Sequence, residues 1–296
     1  MSEPIPVIVN AASGAGHSDA DLERLRGLFR EAGLEARILV AGNGVEIHAL
    51  AQEAMQGRPR VVVAAGGDGT SSAVADAVRG TDTALGVIAL GTANHFPRDL
   101  GIPVDAAEAV RVIAAGHRTA IDVGEVNGIS FVNNSSLGLY PGIVRERVQL
   151  QRRLRRGKRS AMIWAILAVL RRAPLLHLHV RLGDREGELR SPFVFIGNNE
   201  YTMEGFDIGS RERLDGGILS VYTTARSTAR GLFALAMRAL FGRLRQAKDF
   251  TALQARAMRI ESTHEHLLVA TDGEVRRMKT PLDYVIVPRS LQVLVP

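Results

Sequence analysis

Val61-Val62-Val63-Ala64-Ala65-Gly66-Gly67-Asp68-Gly69-Thr70 runs from a strand signal through a turn and into a helical pattern over 71–79. Five consecutive apolar residues ending at glycine read as a strand buried on both faces, the pattern of a parallel sheet covered by helices. The glycines let main-chain N–H groups approach an anion closely, and the helix start adds its partial positive charge. A tight turn without a ligand has the same glycine content. Asp68 and Thr70 favour the ligand reading, since a carboxylate and a hydroxyl at the C-terminal edge of a parallel sheet are placed to hold magnesium or its water.

The same grammar extends on both sides. Ile5–Val9, Ala36–Val40 and Leu85–Leu90 read as further strands, and 19–32, 45–56 and Asp105–Ala115 as amphipathic helices. Alternating strand and helix predicts a parallel α/β domain over 1–120. Two more polar turns follow strands of that sheet, Asn10-Ala11-Ala12-Ser13-Gly14 and Gly91-Thr92-Ala93-Asn94. In an open parallel sheet such turns share one edge and can line a single crevice.

From Ile121 the pattern becomes strand after strand: 176–182, 194–196, 218–223, 254–262, 267–270 and 284–287. The second domain, 121–296, is therefore expected to be antiparallel, a β-sandwich or open barrel, and its last segment can return to the first domain.

The 296 residues carry 37 basic and 31 acidic side chains, a net charge of +6. That surplus is concentrated. Stretches 145–172 and 226–248 hold ten and six bases against one acid, Glu146, a local surplus of 15 that leaves the rest of the chain at −9. Lysine occurs only at Lys158, Lys248 and Lys279, so a nucleotide site in the first half works without one. With no cysteine, disulfides, thiolate zinc sites and cysteine nucleophiles are excluded. The start lacks a basic n-region, and the longest apolar run, Ala161–Leu170, is half of what a spanning helix needs, so a cytoplasmic location is expected.

The set Asn10…Ser13-Gly14, Gly66-Gly67-Asp68-Gly69-Thr70, Gly91-Thr92-Ala93-Asn94-His95-Phe96-Pro97-Arg98-Asp99-Leu100 and Thr271-Asp272-Gly273-Glu274 resembles the diacylglycerol kinase catalytic-domain family over essentially the whole chain. The resemblance implies ATP-dependent phosphorylation of a lipid hydroxyl, a phosphofructokinase-like nucleotide domain, a β-sandwich second domain and a cleft between them. It implies nucleotide contacts from Asn10, Ser13, Gly14, Gly66, Gly67, Asp68, Gly69, Thr70, Thr92 and Asn94. Asp68 and Asp122 would join the network around the Mg2+ on the phosphates. Many relatives carry an aspartate where this chain has His95, which removes a negative charge from that network. Asp272 is the preferred general base and Glu274 the second choice. Asp215 corresponds to a ligand of a structural magnesium normally held by two successive aspartates, and Gly216 replaces the second. Asn133–Gly138 and Asn198-Asn199-Glu200 read as polar loops on the lipid side, or as capped turns.

The two basic stretches combine arginines with apolar helical stripes, Ile163, Leu167 and Leu170 in one and Leu232, Leu235 and Leu240 in the other. Such helices lie in the interface of anionic membranes, so peripheral membrane association is expected; packing on the sandwich is the alternative. No interleaving of bases with aromatics speaks for nucleic acid. A homodimer is among the expected assemblies. Two rival functions remain. NAD kinase shares the Gly-Gly-Asp-Gly turn but has no need of basic helices, and an inactive nucleotide-responsive membrane module would not need Asp68 together with Asp272 and Glu274.

Overall fold

The apolar runs of the first third become parallel strands β1 (Ile5–Asn10), β2 (Ala36–Ala41), β3 (Val61–Gly66) and β4 (Ala84–Ala89), ordered β2-β1-β3-β4. β4 is buried along its whole length and β3 at all but its first residue, which is why both read as unbroken apolar runs. Between and after them lie α1 (Asp19–Glu31), α2 (Gly44–Gln56), α3 (Asp68–Val78), α4 (His95–Asp99) and α5 (Ala106–Ala115). Local chemistry sets their starts. Ser18 and Asp21 form a reciprocal capping box on α1, while Asn43 and Asp105 cap α2 and α5. Gly116, at φ 71°, ends α5 in the left-handed conformation that glycine adopts without strain.

The computed structural model describes residues 3–11, 18–139, 141, 175–183, 185–204, 207–224, 231 and 250–296, which divide into two units: Met1–Val123 with Val287–Pro296, and Gly124–Ile286. The first unit thus includes most of β5 (Arg118–Val126) and the chain's last ten residues. Within it, Gln292 and Val293 pair in parallel with Ala84 and Leu85 of β4.

The second unit is antiparallel. It contains β6 (Ile129–Phe131), β7 (Asn134–Gly138), β8 (Leu176–Leu182), β9 (Arg185–Ser191), β10 (Phe193–Asn198), β11 (Thr202–Glu204), β12 (Asp207–Ser210), β13 (Leu219–Thr223), β14 (Thr251–Ala255), β15 (Ala257–Ser262), β16 (His266–Thr271), β17 (Glu274–Lys279) and the first part of β18 (Leu282–Leu294). One sheet has the order β14-β13-β10-β7-β16-β17; in the other, β15 joins β18 to the β8-β9 hairpin. Leu137, Val194, Ile196, Val221 and Val269 of the first sheet meet Val180, Met258, Ile260, Leu282 and Tyr284 of the second in one core. This is the expected β-sandwich.

Two strand readings are corrected. Residues 134–138, expected to be a polar loop, form a strand between β10 and β16, where Ser135 and Ser136 are both buried. The single run at 254–262 breaks at Arg256 into β14 and β15, which belong to different sheets.

Candidate functional site

In the first unit, α3 begins at Asp68, three residues before the periodicity suggests, so the glycine turn is itself the opening of the helix. Thr70 and Ser71 donate their N–H groups to Gly67 O at 3.0 and 3.1 Å, and no side chain caps the turn. Helices leave their first N–H groups without internal partners, so this end can receive an anion. The three sequence-read turns belong to neighbouring strands, and two of them touch. A Cβ built on Gly91 would lie 2.6 Å from Gly67 Cα, which leaves no room for a side chain between the turns. A Cβ on Gly69 would meet nothing within 4 Å. Asn10 Nδ2 donates to Thr70 Oγ1 at 3.3 Å, tying the end of β1 to α3. Ser13 and Gly14 lie outside the described residues.

Asp68 has a defined local task. Its Oδ1 accepts the Phe96 N–H at 2.9 Å and its Oδ2 the His95 N–H at 3.2 Å, so the carboxylate holds the first turn of α4. Asn94, left-handed at φ 50°, donates Nδ2 to Gly91 O at 2.9 Å, while its Oδ1 is buried without a hydrogen-bond partner. Thr92 is exposed on this turn. The exposed His95 faces Arg98, whose Nη2 stands 3.3 Å from Nδ1. Asp122, buried on β5, accepts the Arg289 N–H at 2.9 Å, where Arg289 turns at φ 50°.

Among the described residues no three His, Asp or Glu side chains converge as a metal-holding group. A magnesium ion held here by at most two of these carboxylates would have to keep most of its waters. The nucleotide fits better, for the uncapped helix start, the open side of Gly69 and the orphaned Asn94 Oδ1 are all features that a ligand could complete.

In the second unit, Asp272 sits in a left-handed conformation at φ 47°, just after β16. Its Oδ2 accepts the Val132 N–H at 2.8 Å, and its Oδ1 those of Asn133 and Asn134 at 2.9 and 3.0 Å. Three main-chain donors fix the carboxylate plane. Glu274 is more exposed and pairs with Arg276 Nη2 at 2.8 Å. Asp215 pairs with Arg213 at 3.2 Å, and a Cβ on Gly216 would stand 2.8 Å from Asn199 Oδ1. Asn199 thus occupies the space next to the position where the family's second aspartate would project.

Residues 4–126 match the family model described as the diacylglycerol kinase catalytic domain, and 139–295 match the YegS C-terminal NAD kinase beta sandwich-like domain. The chain belongs to the diacylglycerol kinase catalytic-domain family.

Relatives in this kinase family include the Klebsiella pneumoniae (strain 342) protein named "Probable lipid kinase YegS-like", 33% identical over 48% of this chain and 48% of that protein. A Staphylococcus aureus (strain MRSA252) "Diacylglycerol kinase" is 33% identical over 47% of this chain and 44% of that one. The chain spans about half the length of the curated relatives it matches. A crystal structure of a diacylglycerol kinase from Bacillus anthracis str. Sterne aligns with TM-score 0.72 at 20% identity, over 99% of this chain and 97% of that one, a likeness of fold.

Family motifs pick out Asp68 and Asp272, but not the residues that grip the same loops. Arg211 is the main omission. It is buried, bonds Val132, Asn133 and Asn198, and nothing in the sequence around Gly209-Ser210-Arg211 distinguishes it from a surface arginine.

Proposed function

We propose that the chain is an ATP-dependent lipid kinase that transfers the γ-phosphate to the hydroxyl of diacylglycerol or a related lipid. The observation that carries this reading is the uncapped start of α3, where the Gly67–Gly91 contact and the open side of Gly69 make an anion cradle with no lysine in it. Membership of the kinase family gives that cradle a triphosphate to hold. Asn10, Gly66–Thr70, Thr92 and Asn94, with Ser13 and Gly14, are assigned to the nucleotide. Magnesium, when bound, neutralises charge on the phosphates; its partners would be Asp68 and Asp122 through water.

Phosphoryl transfer asks a protein mainly for positioning and charge neutralisation. The acceptor oxygen forms a bond to the γ-phosphorus, the bond to the bridging oxygen breaks, and ADP leaves. Asp272 is assigned to take the hydroxyl proton, with Glu274 as the alternative base. Its three amide donors support this role by holding the carboxylate in one orientation.

Membrane access is assigned to the basic stretches 145–172 and 226–248, which lie almost wholly outside the described residues; the support is their charge. Among the described residues no helix is long and apolar enough to cross a membrane. A basic surface of this kind binds anionic vesicles in a salt-dependent way.

The test incubates the protein with labelled ATP, magnesium and either vesicles containing diacylglycerol and phosphatidylglycerol, or NAD. Label on a lipid is the expected result, reduced to a small residual rate by Asp272→Asn. Label on NAD, or no transfer to any acceptor, overturns the proposal.

A further inference from the structure

Asp272 and Arg211 hold the same three-residue segment from its two chemical sides. Asp272 takes all the N–H groups of Val132, Asn133 and Asn134. Arg211 takes acceptors of the same segment: Nη1 donates to Val132 O at 2.6 Å and Nη2 to Asn133 Oδ1 at 2.9 Å. Nη1 also reaches Asn198 O at 3.2 Å, and Asn198 Nδ2 donates to Val132 O at 2.9 Å. The Asn198 N–H closes the lattice on Asn133 O at 2.9 Å. The guanidinium carbon lies 5.2 Å from the centre of the Tyr201 ring, so the fork is held from its face as well as its edge.

Arg211 is only 5% exposed, and burying a guanidinium is costly unless its donors are satisfied. One of its carbonyl acceptors, Val132 O, belongs to the segment whose main-chain N–H groups serve Asp272. Hydrogen bonds in such a chain polarise one another: an amide whose carbonyl binds a cation is a better donor at its neighbouring N–H. The peptide unit between Val132 and Asn133 joins the two charges in this way: its carbonyl, Val132 O, accepts from Arg211, and its N–H, that of Asn133, donates to Asp272 Oδ1 at 2.9 Å.

We infer that Arg211 is a positioning residue for Asp272, acting through Val132–Asn134 to set the orientation of the carboxylate assigned to the acceptor hydroxyl. The inference rests on the kinase reading for its catalytic meaning, while its physical content, one segment shared by Arg211 and Asp272, stands without it. Lysine cannot replace arginine here, because a single ammonium does not reproduce a fork that reaches Val132 O, Asn198 O and Asn133 Oδ1 together.

The experiment uses the full chain with Arg211→Lys, Asp272→Asn and the double variant, assayed with labelled ATP and diacylglycerol vesicles. Misplacing a reacting group by about 1 Å costs about 100-fold in rate. Arg211→Lys is therefore expected to lower kcat by tens of fold with KM for ATP unchanged, and the double variant to be no slower than Asp272→Asn alone. Additive losses, or a normal kcat in Arg211→Lys, overturn the inference.

Amide hydrogen exchange gives a readout independent of activity. In Arg211→Lys the amides of 132–134 should exchange at least about tenfold faster while those of β13 keep their protection; unchanged exchange at 132–134 overturns the inference even if the kinase reading stands. Should Arg211→Lys not fold, Asn133→Ala removes the Nη2 acceptor and leaves the main chain in place. The same local acceleration is expected there, and its absence has the same meaning. A protein that transfers no phosphate yet shows the acceleration rejects the kinase reading and keeps the Arg211–Asp272 coupling.

Discussion

The carboxylate of Asp68, in the opening turn of α3, accepts the Phe96 N–H at 2.9 Å and thereby joins the starts of two helices. The residue that motif reading gives to the phosphates also holds the turn beside them. Asp68→Ala should therefore lose two things at once. Removing a helix-capping acceptor costs about 1 kcal/mol, read as a fall in denaturant midpoint, and ATP binding should fail in a titration on the still-folded protein. Asp68→Asn keeps one acceptor oxygen and is expected to recover most of the stability but little of the activity.

Gly69 and Gly91 make opposite predictions for the same alanine substitution. At Gly91 the new Cβ would stand 2.6 Å from Gly67 Cα, so the turns must part, at a cost of roughly 1–3 kcal/mol. At Gly69 the Cβ meets nothing within 4 Å, and alanine gains up to about 1 kcal/mol in helix propensity. Gly69→Ala should melt no lower than the unaltered protein yet show a smaller rise in Tm on adding ATP, if the open space beside Gly69 is where the phosphates assigned to this turn lie.

Tyr284 predicts an alkaline limit. Its hydroxyl lies 3.0 Å from Ser135 Oγ inside the sandwich, and burial raises the phenol well above the ordinary tyrosine value of 10.0, against the smaller lowering effect of Ser135. The unfolded chain loses this proton first. The stability Tyr284 contributes is complete below about pH 10 and falls as pH rises toward the raised folded value, by up to ~1.4 kcal/mol per pH unit. Tyr284→Phe should flatten that decline in urea melts between pH 9 and 11, and cost about 1 kcal/mol at pH 7 through the unpartnered Ser135 hydroxyl.

Gly216→Asp would restore the family's second aspartate, yet it should not restore a metal site. The new Cβ would crowd Asn199 Oδ1 at 2.8 Å, and Asp215 is already paired with Arg213. The variant is expected to melt lower, with no magnesium-dependent rise in Tm. Adding Asn199→Gly, at a position where φ is already 67°, should relieve the crowding, read as a partial return of the melting temperature.

Hydrophobic period made the architecture legible. Buried parallel strands such as β4 and alternating ones such as β8 announce themselves by apolar pattern. Strands that do not follow it were missed. β9 (Arg185–Ser191) is a charged, exposed edge strand, and β7 (Asn134–Gly138) is rich in serine and asparagine yet buried by both neighbours. Motif reading found the turn residues because glycine and aspartate spacing is local. Arg211 escaped because its partners, Val132 and Asn198, are 79 and 13 residues away, and a long-range grip on main-chain carbonyls leaves no trace in a sequence.

β18 runs for thirteen residues, and its end is built into the first unit, where Val293 lies beside Leu85. Chains emerge from the ribosome N-terminus first, and domains ordinarily fold in that order. Here the edge of β4 that pairs with Gln292 and Val293 must wait until the whole of the second unit has been translated. The first unit is thus begun before the sandwich and completed only after it, and deleting 287–296 should harm nucleotide binding rather than the sandwich that precedes it in translation.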